Sequence, residues 1–297
     1  MQLAPIALFA YNRPEHTRRV VASLQANALA AQSQLHVFCD GAREGDDIAA
    51  IDAVRDYVHR IEGFADVRVH EQSVNRGLAR SVIAGVDELC ARDGRVIVVE
   101  DDLLLSPHFL AYLNAALERY ADDARVMQVS AHMFPVDIGA AEDAFFLPFT
   151  TSWGWATWAS AWRCFDPAAA GYELLRRDEV RRREFDMGGA YDYSGMLRDQ
   201  LDGKIDSWAI RWYLSVFLKR GIVLYPRKTL VENTGFDGSG THTVGTSLDQ
   251  LIDTDFMPTQ FPAAQIDPAI RDRVFGYFRA RRKPLARLRR FAERLIG

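Results

Sequence analysis

The first 130 residues alternate between short apolar runs and amphipathic segments, and this alternation constrains the fold more than any other feature of the sequence. The predicted strand and helix pairs are Ala4–Tyr11 with Glu15–Ala31, Leu35–Asp40 with Asp46–Ile61, Asp66–Gln72 with Arg76–Ala91, and Arg95–Asp102 with Pro107–Tyr120. Strands that alternate with helices are typical of a sheet covered on both faces. We therefore predict an α/β fold with a mixed, mainly parallel sheet flanked by helices.

The second half is less regular. We predict a helix over Asp206–Lys219, a short strand over Ile222–Pro226 and a glycine-rich surface loop over Glu232–Gly245. The sequence has neither internal repeats nor a low-complexity linker, which favours one domain with a specialised second half. Residues 266–297 form a separate basic, helical tail in this prediction.

The distribution of charge along the chain limits the classes of partner that the protein is expected to bind. The 297-residue chain has a net charge of −4, yet the segment Arg279–Arg294 contains eight Lys or Arg residues and one Glu. One local basic segment argues against a general nucleic-acid binder. An amphipathic helix there would either contact an anionic membrane surface or pack on the domain by its apolar side. No apolar run reaches roughly 18 residues, and the N-terminus lacks a signal-peptide pattern, so a cytoplasmic location is expected.

Polar residues follow each of the four predicted strands. Tyr11, Asn12 and Arg13 follow the first strand, Asp40 ends the second, Asn75 and Arg76 follow the third, and Glu100, Asp101 and Asp102 end the fourth. Ligands of parallel sheets bind beyond the carboxyl ends of the strands, so these groups are expected to share one edge. The glycine-rich motifs of dinucleotide-binding folds and P-loops are absent from the sequence.

Three adjacent carboxylates between two apolar segments need a physical explanation, because buried charges require partners. At the end of a strand they can hold Mg²⁺ or Mn²⁺, which prefer carboxylate oxygens and complete their shell with water and phosphates. The alternative is a solvated turn in which Asp102 caps the following helix. Because polar residues also follow the other three predicted strands, we favour the metal site over the solvated turn.

The sequence VVEDDLLLSPHFL resembles the EDD motif of the GT-A glycosyltransferases, a Rossmann-like fold. It is most similar to the motif of N-acetylglucosaminyltransferase I and related bacterial family 2-like sugar transferases. The resemblance implies that Asp102 binds the metal, that Asp101 contacts the ribose or a phosphate, and that Glu100 contacts the sugar or the ribose. It also implies that residues 1–130 bind a nucleotide sugar and that residues 131–265 bind the acceptor.

Further segments extend the resemblance over most of the chain between residues 4 and 245. They are ALFAYNRPEHTRRVVASL, VFCDGA, VNRGLARSV and SWGWATW. The nucleotide-sugar contacts that they imply are Ala10, Tyr11, Asn12, Arg13, Asp40, Asn75, Arg76 and Leu78, with Asp40 accepting from uracil N3. The implied acceptor or sugar contacts are Trp153, Gly154 and Trp155, and His242 in a loop that closes over the donor.

Asp206 lies in KIDSWAIRWYL, which resembles the segment that carries the general base of the family. The simpler interpretation is that Asp206 caps the predicted helix. The family's pattern is incomplete here, because Ser207 and Ile205 replace an acid and a tryptophan. The expected function is transfer of a sugar, UDP-linked in preference, to a hydroxyl in glycan assembly. A sugar nucleotidyltransferase or a glycan-binding module are the alternatives.

Overall fold

The computed structural model describes residues 2–139, 142–237 and 252–281. The strands within these ranges are β1 (Ile6–Ala10), β2 (Gln34–Cys39), β3 (Asp66–Glu71), β4 (Arg95–Glu100), β5 (Leu103–Leu105), β6 (Val126–Ser130), β7 (Ala144–Leu147), β8 (Trp155–Trp158), β9 (Ile222–Pro226) and β10 (Val231–Asn233). The first four predicted strands and the predicted strand Ile222–Pro226 are confirmed.

The helices are α1 (Pro14–Gln25), α2 (Ile48–Val58), α3 (Leu78–Asp93), α4 (Phe109–Arg119), α5 (Ala159–Trp162), α6 (Tyr172–Arg177), α7 (Glu179–Phe185), α8 (Tyr193–Leu201) and α9 (Trp208–Leu218), and residues 268–281 form α10. In the described part of the chain, none of them is long and apolar enough to cross a membrane.

The first helix ends at Gln25, six residues before the predicted end at Ala31. Asn27 explains this early end. Its side-chain amide donates to the Ser23 carbonyl at 2.9 Å, and its carbonyl oxygen accepts from the Leu110 backbone N–H at 2.9 Å. The buried Asn27 therefore ties the chain to the start of α4 and ends the helical ladder.

Eight strands form one sheet in the order β3-β2-β1-β4-β8-β6-β9-β7. The pairs β3–β2, β2–β1, β1–β4 and β6–β9 are parallel, whereas β8 and β7 run antiparallel to their neighbours. The predicted mixed, mainly parallel sheet is confirmed. Strands from the first and second halves of the chain belong to this single sheet.

Alternating residues of the strands pack in two apolar layers, one on each face of the sheet. Leu8 packs with Val21 of α1 and Leu113 of α4 on one face, and Phe9 packs with Val82 of α3 on the other. This alternation follows from the two-residue repeat of a strand. The helices on both faces explain why β1 is buried along its whole length.

The segment SWGWATW, for which the resemblance implies acceptor or sugar contacts, contains a strand that the sequence did not indicate. Residues Trp155–Trp158 form β8, which lies between β4 and β6 and is buried at every position. β5 and β10 form a separate antiparallel pair, with Leu103 opposite Asn233. This pair brings the beginning of the predicted glycine-rich loop next to the acidic triplet. Residues 238–245 of that loop lie outside the described residues.

Candidate active site

The carboxyl ends of β1, β2 and β4 lie at one edge of the sheet because these strands are parallel neighbours. Arg13, which follows β1, faces the triplet that ends β4: its Nη1 lies 3.5 Å from Asp102 Oδ2. The Asp102 backbone carbonyl accepts hydrogen bonds from the backbone N–H and the hydroxyl of Thr234, at 2.8 and 3.0 Å. The strand ends therefore meet as the sequence predicts, and the chain after β10 covers them.

The backbone of Gly235 lies directly against the Asp102 carboxylate, and a Cβ at this position would overlap Oδ2. An alanine at this position would therefore displace the Asp102 carboxylate. Just beyond it, Asp237 Oδ2 lies 3.2 Å from His16 Nε2 of α1. No motif in the sequence indicates that Gly235 or His16 belongs to this edge.

The three carboxylates are perturbed together. Burial, followed by repulsion from Asp102 and Asp101, raises the pKa of Glu100 to about 8. Burial also raises the pKa of Asp101 to about 7 and that of Asp102 above its usual range, while the Arg13 guanidinium opposes both shifts. The main physical cause in each case is loss of hydration of the charged form. One arginine does not compensate three carboxylates, so this edge favours additional positive charge.

Asp102 also has an oxygen without a partner. Its Oδ1 is buried and makes no hydrogen bond among the described residues. The alternative role of Asp102 as a helix cap is wrong, because α4 begins only at Phe109. An unpartnered carboxylate oxygen beside two further acids fits a hard divalent cation.

The described residues contain no group of three or more His, Cys, Asp or Glu side chains that could hold a metal ion by themselves. Such a group is not needed for Mg²⁺ or Mn²⁺ held with a nucleotide, since one or two carboxylates plus phosphates and water are the usual ligands. The triplet therefore fits a cation that binds together with a phosphate-bearing ligand.

Asp40 organises the loop after β3. Its Oδ1 accepts from the backbone N–H groups of Gly41 and Arg76, at 2.9 and 2.8 Å, and its Oδ2 accepts from Gly77 N–H at 2.8 Å. Asn75 adds a 2.8 Å hydrogen bond from its amide to the Gly41 carbonyl. The structure thus gives Asp40 backbone partners on both oxygens, and its contact with a uracil ring stays a prediction.

Tyr11 belongs to a network that the sequence did not indicate. Its hydroxyl donates to Asp46, and the Arg43 guanidinium lies 5.6 Å from the centre of its ring. Burial, then the bond to Asp46, raises the pKa of Tyr11 to about 12. Arg43 Nε also donates to Asn75 Oδ1 at 2.9 Å, which links the loops after β1, β2 and β3. Neither Asp46 nor Arg43 lies in a recognisable motif.

The remaining predicted nucleotide contacts flank this network. Ala10 is buried at the end of β1, and its carbonyl accepts from Asp40 N–H at 3.4 Å. Asn12 is half-buried between Tyr11 and Arg13, whereas Leu78, the first residue of α3, is 45% exposed. The sheet edge therefore brings together residues from all four predicted strand ends.

Asp206 lies on the same side of the molecule as the loop after β3. A Cβ at Gly77 would be 3.8 Å from Asp206 Oδ2, and Arg211 Nη2 lies 3.2 Å from Asp206 Oδ1. The prediction that Asp206 caps α9 is wrong, because the Ser207 hydroxyl accepts from Ile210 N–H instead. With 60% of its side chain exposed, Asp206 is available to a ligand.

The three residues of the predicted acceptor segment differ in accessibility. Trp153 is half-buried, with its ring 4.6 Å from His132 and 5.8 Å from Phe236, centre to centre. Gly154 has φ +62° and packs tightly, so a Cβ there would lie 2.8 Å from Val231. Trp155 is fully buried and stacks on a core tryptophan, so its ring does not reach solvent. His242 lies outside the described residues.

Comparisons with known proteins found similarity to solved structures only at low sequence identity. No family model and no curated protein matches the sequence. A mannosyltransferase from Pyrobaculum calidifontis, solved with GDP-Man and Mn²⁺, is 17% identical, with TM-score 0.39 over 59% of this chain and 46% of that one.

Two further solved structures are similar. Residues 1–349 of S. aureus TarS align at 11% identity and TM-score 0.44, covering 79% of this chain and 61% of that one. The galactosyltransferase LgtC, solved with donor and acceptor sugar analogues, aligns at 14% identity and TM-score 0.36, covering 72% and 70%. The chain thus spans about half of the mannosyltransferase and under two thirds of TarS. At these TM-scores the alignments do not define an activity.

Proposed function

We propose that the protein is a metal-dependent glycosyltransferase that moves a sugar from a nucleoside diphosphate, UDP in preference, to a hydroxyl acceptor in glycan or polysaccharide assembly. The observation that carries this proposal is the Asp102 carboxylate, which faces Arg13 and has one buried oxygen without a hydrogen-bond partner among the described residues. Two more acids precede it at the same strand end. This arrangement suits a diphosphate that arrives with a divalent cation.

On the donor side, Asp102 would hold Mn²⁺ or Mg²⁺, with Asp101 and Glu100 next to it. When bound, the cation supplies positive charge that stabilises a leaving diphosphate. Arg13 lies within reach of the same carboxylate, at 3.5 Å, and would bind a phosphate oxygen directly. The Asp40-supported loop and the Tyr11 network would form the wall around the base and ribose.

On the acceptor side, Asp206 would accept the proton of the attacking hydroxyl in an inverting displacement. Its exposed carboxylate is available, and the 3.2 Å bond from Arg211 holds one of its oxygens. A general base must come within hydrogen-bond reach of the hydroxyl, so the orientation of Asp206 matters as much as its basicity.

The decisive test is isothermal titration calorimetry of UDP with and without Mn²⁺. Wild-type protein is expected to bind UDP more tightly with the metal, and Asp102→Ala is expected to lose this gain, by at least about tenfold. The matched control is Asp122→Ala, which removes an exposed carboxylate from the turn after α4. Metal-stimulated binding that survives in Asp102→Ala would refute the assignment.

A second test addresses Asp206. Asp206→Asn is expected to reduce sugar transfer by about 100-fold or more, the usual contribution of a general base, while leaving UDP binding intact. The readout is transferred sugar per enzyme, compared with UDP affinity in the same preparation. Full transfer by Asp206→Asn, with unchanged stereochemistry, would remove the support for an inverting mechanism.

The alternatives receive less support. A sugar nucleotidyltransferase is expected to carry a glycine- and lysine-rich loop after the first strand, whereas here Arg13 is followed at once by Pro14, the first residue of α1. A non-catalytic glycan-binding module would not release UDP. Hydrolysis of a nucleotide sugar in the presence of Mn²⁺ therefore distinguishes the module from the enzyme.

We further propose that the basic segment Arg279–Arg294 contacts an anionic membrane surface, which would suit a lipid-linked acceptor and a location at the inner face of the membrane. Its charge pattern supports this proposal. Most of the segment lies outside the described residues.

A further inference from the structure

A cavity of about 250 Å³ is bordered by His132, by Trp153 and by helices α8 and α9. Its lining residues are His132, Phe134, Thr150, Thr151, Ser152, Trp153, Tyr191, Tyr193, Met196, Ala209, Ile210 and Tyr213. None of these residues is an aspartate, a glutamate, a lysine or an arginine. The cavity is slightly smaller than the roughly 300–1,000 Å³ of sites for drug-sized ligands, so it suits one small ring.

His132 borders this cavity and has a ring nitrogen without a hydrogen-bond partner among the described residues. Only 3% of the residue is exposed, and its Nδ1 is buried without a hydrogen-bond partner among the described residues. Burial lowers its pKa to about 3, so the imidazole is neutral near pH 7 and offers one donor and one acceptor. Buried polar groups in folded proteins are nearly always paired, and an exception points to a missing partner.

Ser130 holds the backbone of His132, and two aromatic rings pack against its imidazole. Ser130 Oγ accepts from the His132 backbone N–H at 3.1 Å and also lies 3.0 Å from its carbonyl oxygen. The rings of Trp153 and Phe134 stand edge-on to the imidazole, with centres 4.6 and 4.8 Å away. A polar group fixed in this way between aromatic walls is preorganised for a ligand, because little side-chain entropy is lost on binding.

The rest of the wall combines aromatic rings with hydroxyls. Tyr191 and Tyr193 lie 4.4 Å apart, centre to centre, and Tyr191 is 42% exposed. Thr151 and Ser152, both half-buried, add hydroxyl groups. Aromatic surfaces suit the C–H faces of a sugar ring, and neutral donors and acceptors suit its hydroxyls. A carboxylate or phosphate on the ring would find no cation among the lining residues.

The cavity lies close to both parts of the proposed active site, the donor edge around Asp102 and the proposed base Asp206. Trp153 separates it from Phe236, and the residue before Phe236, Gly235, packs on the Asp102 carboxylate. On another side the cavity is bordered by Ala209 of α9, three residues after Asp206. A ring in the cavity would therefore lie near the donor edge and near the proposed base.

We propose that this cavity binds one uncharged, hydroxyl-bearing sugar ring, with the unpaired nitrogen of His132 as hydrogen-bond partner of a ring hydroxyl. Naming this ring the acceptor rests on the proposed glycosyltransferase function. The cavity thereby selects neutral over acidic acceptor sugars.

The test is saturation-transfer NMR on the full chain with methyl pyranosides of glucose, galactose, mannose and N-acetylglucosamine, and with methyl glucuronide as the acidic counterpart. At least one neutral glycoside is expected to bind, and the glucuronide at least about tenfold more weakly than its glucose counterpart, since a desolvated carboxylate would lack a partner. His132→Phe is expected to weaken neutral binding about tenfold. His59→Phe, the same change at an exposed histidine, is the matched control.

Three results would overturn the proposal. They are that no neutral glycoside binds, that methyl glucuronide binds as tightly as methyl glucoside, or that His132→Phe binds the neutral glycoside as tightly as the His59→Phe control. Urea unfolding of His132→Phe establishes that weaker binding does not come from loss of the fold. UDP binding, measured on the same samples, keeps the two proposals apart. Glycoside binding without any UDP binding would refute the glycosyltransferase function and leave the neutral-sugar site standing.

Discussion

His36 offers a prediction about stability that can be worked out in numbers. This fully buried histidine of β2 accepts from Arg92 Nη2 through its Nε2, at 2.9 Å. The proton must therefore lie on Nδ1, which donates to His70 Nε2 at 3.0 Å. Burial, followed by the charges of Arg92, His70 and Arg68, lowers the pKa of His36 from 6.5 to about 4, and Asp66 opposes the shift.

The sign follows from linkage between proton binding and folding. In the unfolded chain His36 takes up a proton as the pH falls below about 6.5, whereas in the folded chain it stays neutral until about pH 4. The stabilisation from a neutral His36 is thus complete above pH 6.5 and is lost as the pH falls toward 4. At 1.36 kcal/mol per pKa unit, the loss between pH 7 and pH 5 is about 2 kcal/mol.

Urea unfolding of wild type and His36→Gln at pH 7 and pH 5 measures this effect. Glutamine keeps an acceptor for Arg92 and does not titrate, so the stability advantage of wild type is expected to shrink by about 2 kcal/mol at pH 5. Taking the difference between the proteins cancels the carboxylates, including Glu100, Asp101 and Asp102, whose raised pKa values act in the opposite direction. An unchanged difference between wild type and His36→Gln at the two pH values would refute the reasoning.

Two glycine substitutions test the close approaches near the site. Gly154→Ala adds a Cβ 2.8 Å from Val231 at a φ of +62°, and we expect it to lower the free energy of unfolding in urea by about 2–4 kcal/mol. The control is Gly94→Ala, at φ +77° with open space around the Cβ, which should lower it by about 1 kcal/mol. Equal costs would show that the contact is irrelevant. Gly235→Ala, whose Cβ overlaps Asp102, should weaken Mn²⁺-dependent UDP binding by about tenfold in calorimetry with little loss of stability; unaltered affinity would contradict the close approach.

The first half of the fold could be predicted from the sequence because its signals are local. Each strand is a short apolar run, each helix has its own periodicity, and the parallel order places Arg13, Asp40 and Asp102 at one edge without further information. The position of the acidic triplet at the end of β4 follows from the same pattern.

Apart from α9 and β9, the second half could not be predicted in the same way, since its structure depends on distant partners. Trp155 belongs to a strand only because β4 and β6 flank it, and aromatic residues fit equally well in a loop or a core. Distant contacts also occur in the first half, where Asp46 accepts from Tyr11 across 35 residues. His132 differs by its unpaired ring nitrogen, which no sequence motif indicates. Periodicity and motifs carry no record of such contacts.

The bond between Thr234 and Asp102 joins residues 132 positions apart, and the pairing of β10 with β5 spans a similar distance. Closing so long a loop costs chain entropy before any contact repays it, so pairings of this kind form late during folding. The acidic triplet is therefore expected to stay hydrated while the parallel strands assemble around β1. Its charges lose their water only when the remainder of the sheet is already in place to hold them.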